Sequence, residues 1–200
     1  GIPVHLLSDY LSWLEDRQQQ GKGAHVVTLN AEMVMLARKN KELASAIAQA
    51  DLIIPDGAGV VLSLNLQGKK QQRFPGIELA GALLERMAKN NPGDILFYGG
   101  VPGRAEASAR FWHQHCPELT IHSQHGYLSE PELATFTQTL SQQQPQVILV
   151  GLGVPRQELW IAQHRYLCPQ AIWIGVGGAF DIWGGAKLRA PAWFRNNNLE

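Results

Sequence analysis

Short apolar runs alternate with longer stretches of helical spacing along the whole chain. An amphipathic start, Leu6 to Leu14, gives way to polar Gln18 to Lys22. The β-rich run Val26-Val27-Thr28-Leu29-Asn30 follows. Across 31–49, Met33, Met35, Leu36, Leu43 and Ile47 recur at helical spacing, which predicts a helix there. Further strand-like runs lie at 51–55, 94–98, 119–122, 146–151 and 171–176, separated by helical stretches near 76–89, 102–115, 130–142 and 155–167. Pro92-Gly93, Pro102-Gly103 and Pro145 punctuate the boundaries. Apolar strands joined by helices predict an α/β fold: a Rossmann-like, doubly wound, mostly parallel six-stranded sheet with helices on both faces. No repeat or linker interrupts the pattern, so 1–200 reads as a single domain.

Polar and glycine residues gather where the strands end. The first strand runs into Thr28 and Asn30, the second into Asp56, the third into Gly99-Gly100 and the fourth into His125-Gly126-Tyr127. The fifth leads into Gly151-Leu152-Gly153-Val154-Pro155-Arg156-Gln157, and the sixth into Gly175-Val176-Gly177-Gly178-Ala179-Phe180-Asp181. A parallel sheet places all of these on one rim, where open α/β sheets bind ligands. Asp56 stands out because it puts a carboxylate between an apolar strand and the turn Gly57-Ala58-Gly59. A carboxylate repels phosphate, so the residue suits a proton acceptor or a ligand for sugar hydroxyls. Asp is equally a good helix N-cap, and the turn alone admits both roles.

Composition narrows the field. The 200 residues are 45% hydrophobic with a formal net charge of +0, which gives material for a large core and no bulk attraction to nucleic acid. No apolar run reaches the roughly 20 residues that span a bilayer. No signal peptide is visible, and a start at Gly1 without Met fits a processed or trimmed terminus. The two cysteines, Cys116 and Cys168, each precede a proline and read as reduced, buried thiols that close helices.

Several chemistries fail on spacing. The dinucleotide fingerprint G-x-G-x-x-G lacks its third glycine at Gly57-x-Gly59, at Gly151-x-Gly153 and at Gly175-x-Gly177. There is no phosphate-binding G-x-x-x-x-G-K-[ST] loop. His113, His115, Cys116, His122 and His125 cluster in sequence, but only His125 reaches the rim, which argues against a metal site. No Asp-x-Asp pair ends a strand, and no G-x-S-x-G elbow exists. What remains is the Asp56 carboxylate, amide and hydroxyl groups at Thr28, Asn30 and Gln157, and arginines at Arg73, Arg156 and Arg189. That set suits a polyol carrying a diphosphate, with amides reading hydroxyls and arginines offsetting charge. Bare glycines let backbone approach a diphosphate closely. Trp183, in the stretch Asp181–Gly185, is the one tryptophan placed near the rim.

These motifs resemble the WecG/TagA/CpsF glycosyltransferases. The matching blocks are Thr28-Leu29-Asn30-Ala31-Glu32, Pro55-Asp56-Gly57-Ala58-Gly59, His125-Gly126-Tyr127, Gly153-Val154-Pro155-Arg156-Gln157-Glu158, and Gly175 to Asp181 with Lys187-Leu188-Arg189-Ala190-Pro191. They follow the family order and span nearly the whole chain. The resemblance implies an inverting transferase that needs no metal or other cofactor. Its donor would be UDP-N-acetylmannosamine or the corresponding uronic acid, and its acceptor a polyprenyl-diphosphate-linked N-acetylglucosamine. Products would enter teichoic-acid linkage units, enterobacterial common antigen or capsule.

By position, the resemblance makes Asp56 the general base, with Thr28, Asn30, Gln157 and Arg73 around it. It places nucleotide contacts at Tyr127 and Asp181, while the rim itself offers Gly99, Gly100, Gly153, Gly177, Gly178 and Arg156 as donor-binding candidates. It also implies a cytoplasmic enzyme, peripheral at the inner face of the bacterial plasma membrane. The neutral charge gives no nucleic-acid partner, and an apolar helix face could pack within a subunit or between subunits of a homo-oligomer. Two departures stand out. Gly76-Ile77-Glu78 carries Glu where the family usually has Asp, and the sequence stops at Leu199-Glu200, where the resemblance leads one to expect a basic, aromatic tail implicated in membrane docking. A non-catalytic nucleotide-sugar binding module and a nicotinamide-dependent oxidoreductase remain the alternatives.

Overall fold

The computed structural model describes residues 2–71 and 73–188. Six strands, β1 (Ala24–Leu29), β2 (Leu52–Pro55), β3 (Asp94–Gly99), β4 (Thr120–Gln124), β5 (Val147–Gly151) and β6 (Ile172–Gly175), form one sheet in the order β2-β1-β6-β5-β3-β4. Every pairing is parallel, so the sheet is wholly rather than mostly parallel. β1, β5 and β6 are buried along their full length, as strands covered on both faces must be. The polar strand β4 forms one edge. Along β2, at the other edge, the N-terminal segment pairs through His5, whose N–H donates to Ile53 O and whose Nδ1 accepts from Ile53 N, both at 2.9 Å.

Side-chain alternation sorts the helices onto two faces. Val26, Ile54, Phe97, Leu149 and Ile174 point to the first face and meet α1 (Tyr10–Gln19), α5 (Gly76–Asn90), α6 (Arg104–His115) and α9 (Ala179–Trp183). On the second face, Val27, Leu29 and Ile53 meet α2 (Ala31–Ala37), α3 (Lys41–Ala48) and α4 (Ala58–Leu66). There too, Leu96, Ile148 and Trp173 meet α7 (Glu130–Gln143) and α8 (Arg156–His164). Cys116 and Cys168 are buried free thiols in the cores of opposite faces.

Three expectations shift. The single helix over 31–49 is two, because Asn40 accepts a hydrogen bond from Leu43 N at 3.0 Å and starts α3 afresh. A side chain that offers the backbone an alternative partner at a cap outcompetes helix continuation. The first helix runs Tyr10–Gln19 rather than from Leu6, since Asp9 caps it through Ser12 N. The stretch 155–167 is α8 followed by a 3-10 turn, Arg165–Leu167.

Candidate active site

α2 leaves β1 on the second face, while α9 leaves β6 on the first. The sheet edge between them is therefore open, the position where α/β sheets form a crevice. A cleft of about 260 Å³ sits there, lined by Thr28 and Asn30 at the end of β1, Asp56 just after β2, Arg73 ahead of α5 and Gly76 at its first residue, Gln157 from α8, and Gly177-Gly178 after β6. Met33, Ile77, Val154 and Ile182 supply apolar walls.

Asp56 is not the N-cap residue of its own helix. Gly57 is the N-cap of α4, with no side-chain bond, and a Cβ there would come within 3.1 Å of Asn30 Cβ. The Asp56 carboxylate turns instead to α5, where Oδ2 accepts from Gly76 N at 3.2 Å. Arg73 flanks it, with Nε donating to the Asp56 carbonyl at 2.6 Å and lying 3.8 Å from Oδ1. The first N–H of α5 and the Arg73 guanidinium orient the carboxylate while it lines the cleft. Gly76 is bare for a reason: a Cβ would sit 2.8 Å from Thr28 Oγ1. Thr28 Oγ1 is 3.4 Å from the Gly175 carbonyl, a long hydrogen bond across to β6. Asn30 caps α2 through Met33 N at 2.9 Å.

Gln157, 3% exposed, spans from α8 to the loop after β6. Its Oε1 accepts from Gly177 N at 3.1 Å, and its Nε2 donates to Glu158 Oε1 at 2.8 Å. Glu158 is 1% exposed, and burial raises its carboxyl to about 7. The sequence reading does not select it, because a Glu in the first turn of a helix normally faces solvent. The available signal was Gly175, since a Cβ there would stand 2.5 Å from Gln157 Nε2 and 2.8 Å from Glu158 Oε1.

The remaining donor candidates are distributed differently. Gly177 and Gly178 line the cleft, and Gly153 adjoins the lining residue Val154. Gly99 lies where β3 and β5 nearly touch, and a Cβ on it would meet Gly151 O at 2.3 Å; Gly100 N donates to the same carbonyl at 2.9 Å. These two glycines serve backbone packing outside the cleft lining. Arg156 is exposed at the start of α8, and Tyr127 is 62% exposed beyond β4. Asp181 is also outside the lining, ion-paired with Lys187 at 2.8 Å and Arg104 at 3.5 Å. Glu78 is exposed on the first turn of α5, and Arg189 lies outside the described residues. Trp183 packs into the first-face core, stacked on Phe97 at 5.9 Å, rather than reaching into the site. Among the described residues, no group of three His, Cys, Asp or Glu side chains is placed to hold a metal ion.

The family model for "Glycosyl transferase WecG/TagA/CpsF family" matches residues 1–200. The chain is 33% identical over 197 residues to an N-acetylglucosaminyldiphosphoundecaprenol N-acetyl-beta-D-mannosaminyltransferase of Bacillus spizizenii, covering 97% of this chain and 76% of that one. It is 34% identical over 183 residues to the protein of the same name from Staphylococcus aureus, covering 91% and 71%. The chain belongs to the WecG/TagA/CpsF family. It is a glycosyltransferase, which sets aside both the oxidoreductase and the non-catalytic binding module. In this family member a larger groove, about 510 Å³, opens between the N-terminal segment, α2 and α4, lined by Ile2, Val4, Val34, Val60 and Leu64 and by none of the candidate polar groups. Among the described residues, no helix is long and apolar enough to cross a membrane.

Proposed function

We propose that this glycosyltransferase moves an N-acetylmannosamine-type sugar from a UDP donor to a polyprenyl-diphosphate-linked N-acetylglucosamine, working from the inner membrane face in surface-polymer synthesis. The observation that carries this reading is Asp56, a carboxylate oriented by Gly76 N and Arg73 and lining a cleft shared with Thr28, Asn30 and Gln157. The names of the relatives supply the sugar and the acceptor. At about 260 Å³ the cleft matches one sugar ring, with the diphosphate leaving over the rim past Gly177 and Gly178.

In the proposed step, the acceptor hydroxyl gives its proton to Asp56 as its oxygen attacks the sugar C1. The bond from C1 to the phosphate oxygen breaks on the opposite side, so configuration inverts and UDP departs as the anion. Among the described residues Asp56 is the one carboxylate lining the cleft, which fits a single displacement better than a two-step route that needs a second carboxyl group. Arg156, exposed on the rim, is the cation assigned to the departing diphosphate. No metal ion enters this scheme.

The test is Asp56→Asn in the full-length enzyme, assayed with UDP-N-acetylmannosamine and a short-chain polyprenyl-diphosphate N-acetylglucosamine. Loss of the base should lower kcat by about 10²–10⁴-fold while leaving donor affinity near wild type. Near-normal turnover rejects the base role. Chelation with EDTA in the same assay should leave the wild-type rate unchanged.

A further inference from the structure

Gln157 can present either end of its amide to a substrate, and the two ends do opposite chemistry: one accepts a hydrogen bond and the other donates. Its surroundings remove that freedom. Gly177 N is a donor, so it requires Oε1, and Glu158 Oε1 is the acceptor for Nε2. Both contacts rest on the missing side chain of Gly175, which leaves room for the two side chains to lie against bare β6 backbone. Glu158 does not line the cleft, and its Oε2 has no hydrogen-bond partner among the described residues. An apolar side chain of similar volume would serve packing better, since a buried carboxyl with an unpaired oxygen is costly.

We propose that Glu158 is a positioning residue: by accepting from Gln157 Nε2 it fixes the direction of the Gln157 amide, and so which group that amide shows to the sugar or diphosphate in the cleft. With Glu158 in place, Gln157 has one Oε1 lone pair and one Nε2–H left to offer. Without that acceptor, a flip of the amide is opposed by Gly177 alone. The side chain can also swing away from Gly177 to find another partner. This inference rests on the transferase reading of the cleft.

Two substitutions separate positioning from packing. Glu158→Gln keeps an acceptor in the same place, whereas Glu158→Met fills the space and cannot replace it; Glu158→Leu serves if Met is not accommodated. In the transfer assay, Glu158→Gln should stay within about threefold of wild type. Glu158→Met should lose about tenfold or more in kcat/KM while melting no lower than wild type. Gln157→Ala should show a comparable loss, and adding Glu158→Met to it should cost nothing further, because both act through one contact. Loss in Gln157→Ala with none in Glu158→Met, or losses that multiply in the double variant, overturns this inference alone. Normal turnover by Gln157→Ala overturns the reading of Gln157 in the cleft and this inference with it.

Discussion

Glu158 and His25 are each 1% exposed, and they pull stability in opposite directions as pH changes. Burial raises the Glu158 carboxyl from 4.5 to about 7, so the folded state holds a proton that the unfolded chain has released. Its contribution is fully present below 4.5 and is lost as pH rises through 7. Burial, with Arg165 adding to it and Asp51 opposing, lowers His25 from 6.5 to about 4. The unfolded chain then binds the extra proton, so this contribution is present above 6.5 and is lost as pH falls through 4. Each full shift corresponds to about 3 kcal/mol, with a slope of up to about 1.4 kcal/mol per pH unit. The windows overlap between 4.5 and 6.5, where the two slopes offset each other. Chemical denaturation should therefore find Glu158→Gln gaining stability as pH rises across that range. His25→Leu should lose it, and wild type should be flatter than either; identical profiles for all three would falsify the assignment. Legibility at this scale follows position. Asp56 and Asn30 could be read because each closes an apolar run, and Thr28 because it is the one hydroxyl near the end of such a run. Glu158 could not, because what buries it is a glycine in a strand seventeen residues further on.

At the level of elements, glycines that look alike in the sequence do different work. Gly99 has φ of +137° and would drive a Cβ to 2.3 Å from Gly151 O, a backbone atom that cannot move without separating β3 from β5. Gly178 has nothing within 4 Å of a notional Cβ and sits in the cleft lining. Gly99→Ala should therefore cost stability, about 1–3 kcal/mol or more by thermal or denaturant melting. Gly178→Ala should melt like wild type and change only donor KM. The reverse pattern would remove Gly178 from the donor site. Strand runs could be located from the sequence because a two-sided parallel sheet demands continuous apolar residues. The break between α2 and α3 could not, since the apolar spacing carries through Asn40 and only its side-chain bond to Leu43 N ends the first helix. The glycine-rich strand ends were legible as a rim. Which of them line the cleft depends on strand order, and the sequence does not state strand order.

That order governs the whole molecule. The cleft lies over β2, β1 and β6, while Tyr127 follows β4 at the far edge of the same rim. From β6 to β4 the sheet steps through β5 and β3, three spacings or about 14 Å. A donor whose sugar occupies the cleft and whose diphosphate crosses Gly177 and Gly178 can carry its nucleoside along the rim in that direction. Arg156, exposed at the start of α8 after β5, stands on the way. Tyr127 is 62% exposed, an aromatic face with no core to pack into, suited to stacking on a base. On this geometry Tyr127→Ala should weaken UDP binding by about five- to tenfold in calorimetric titration, the lower end of what one base–aromatic stack contributes, as suits an exposed ring. Because the residue is remote from C1, kcat at saturating donor should stay near wild type, the opposite of Asp56→Asn. Unchanged UDP affinity in Tyr127→Ala would place the nucleoside elsewhere, leaving the sugar end of the site untouched.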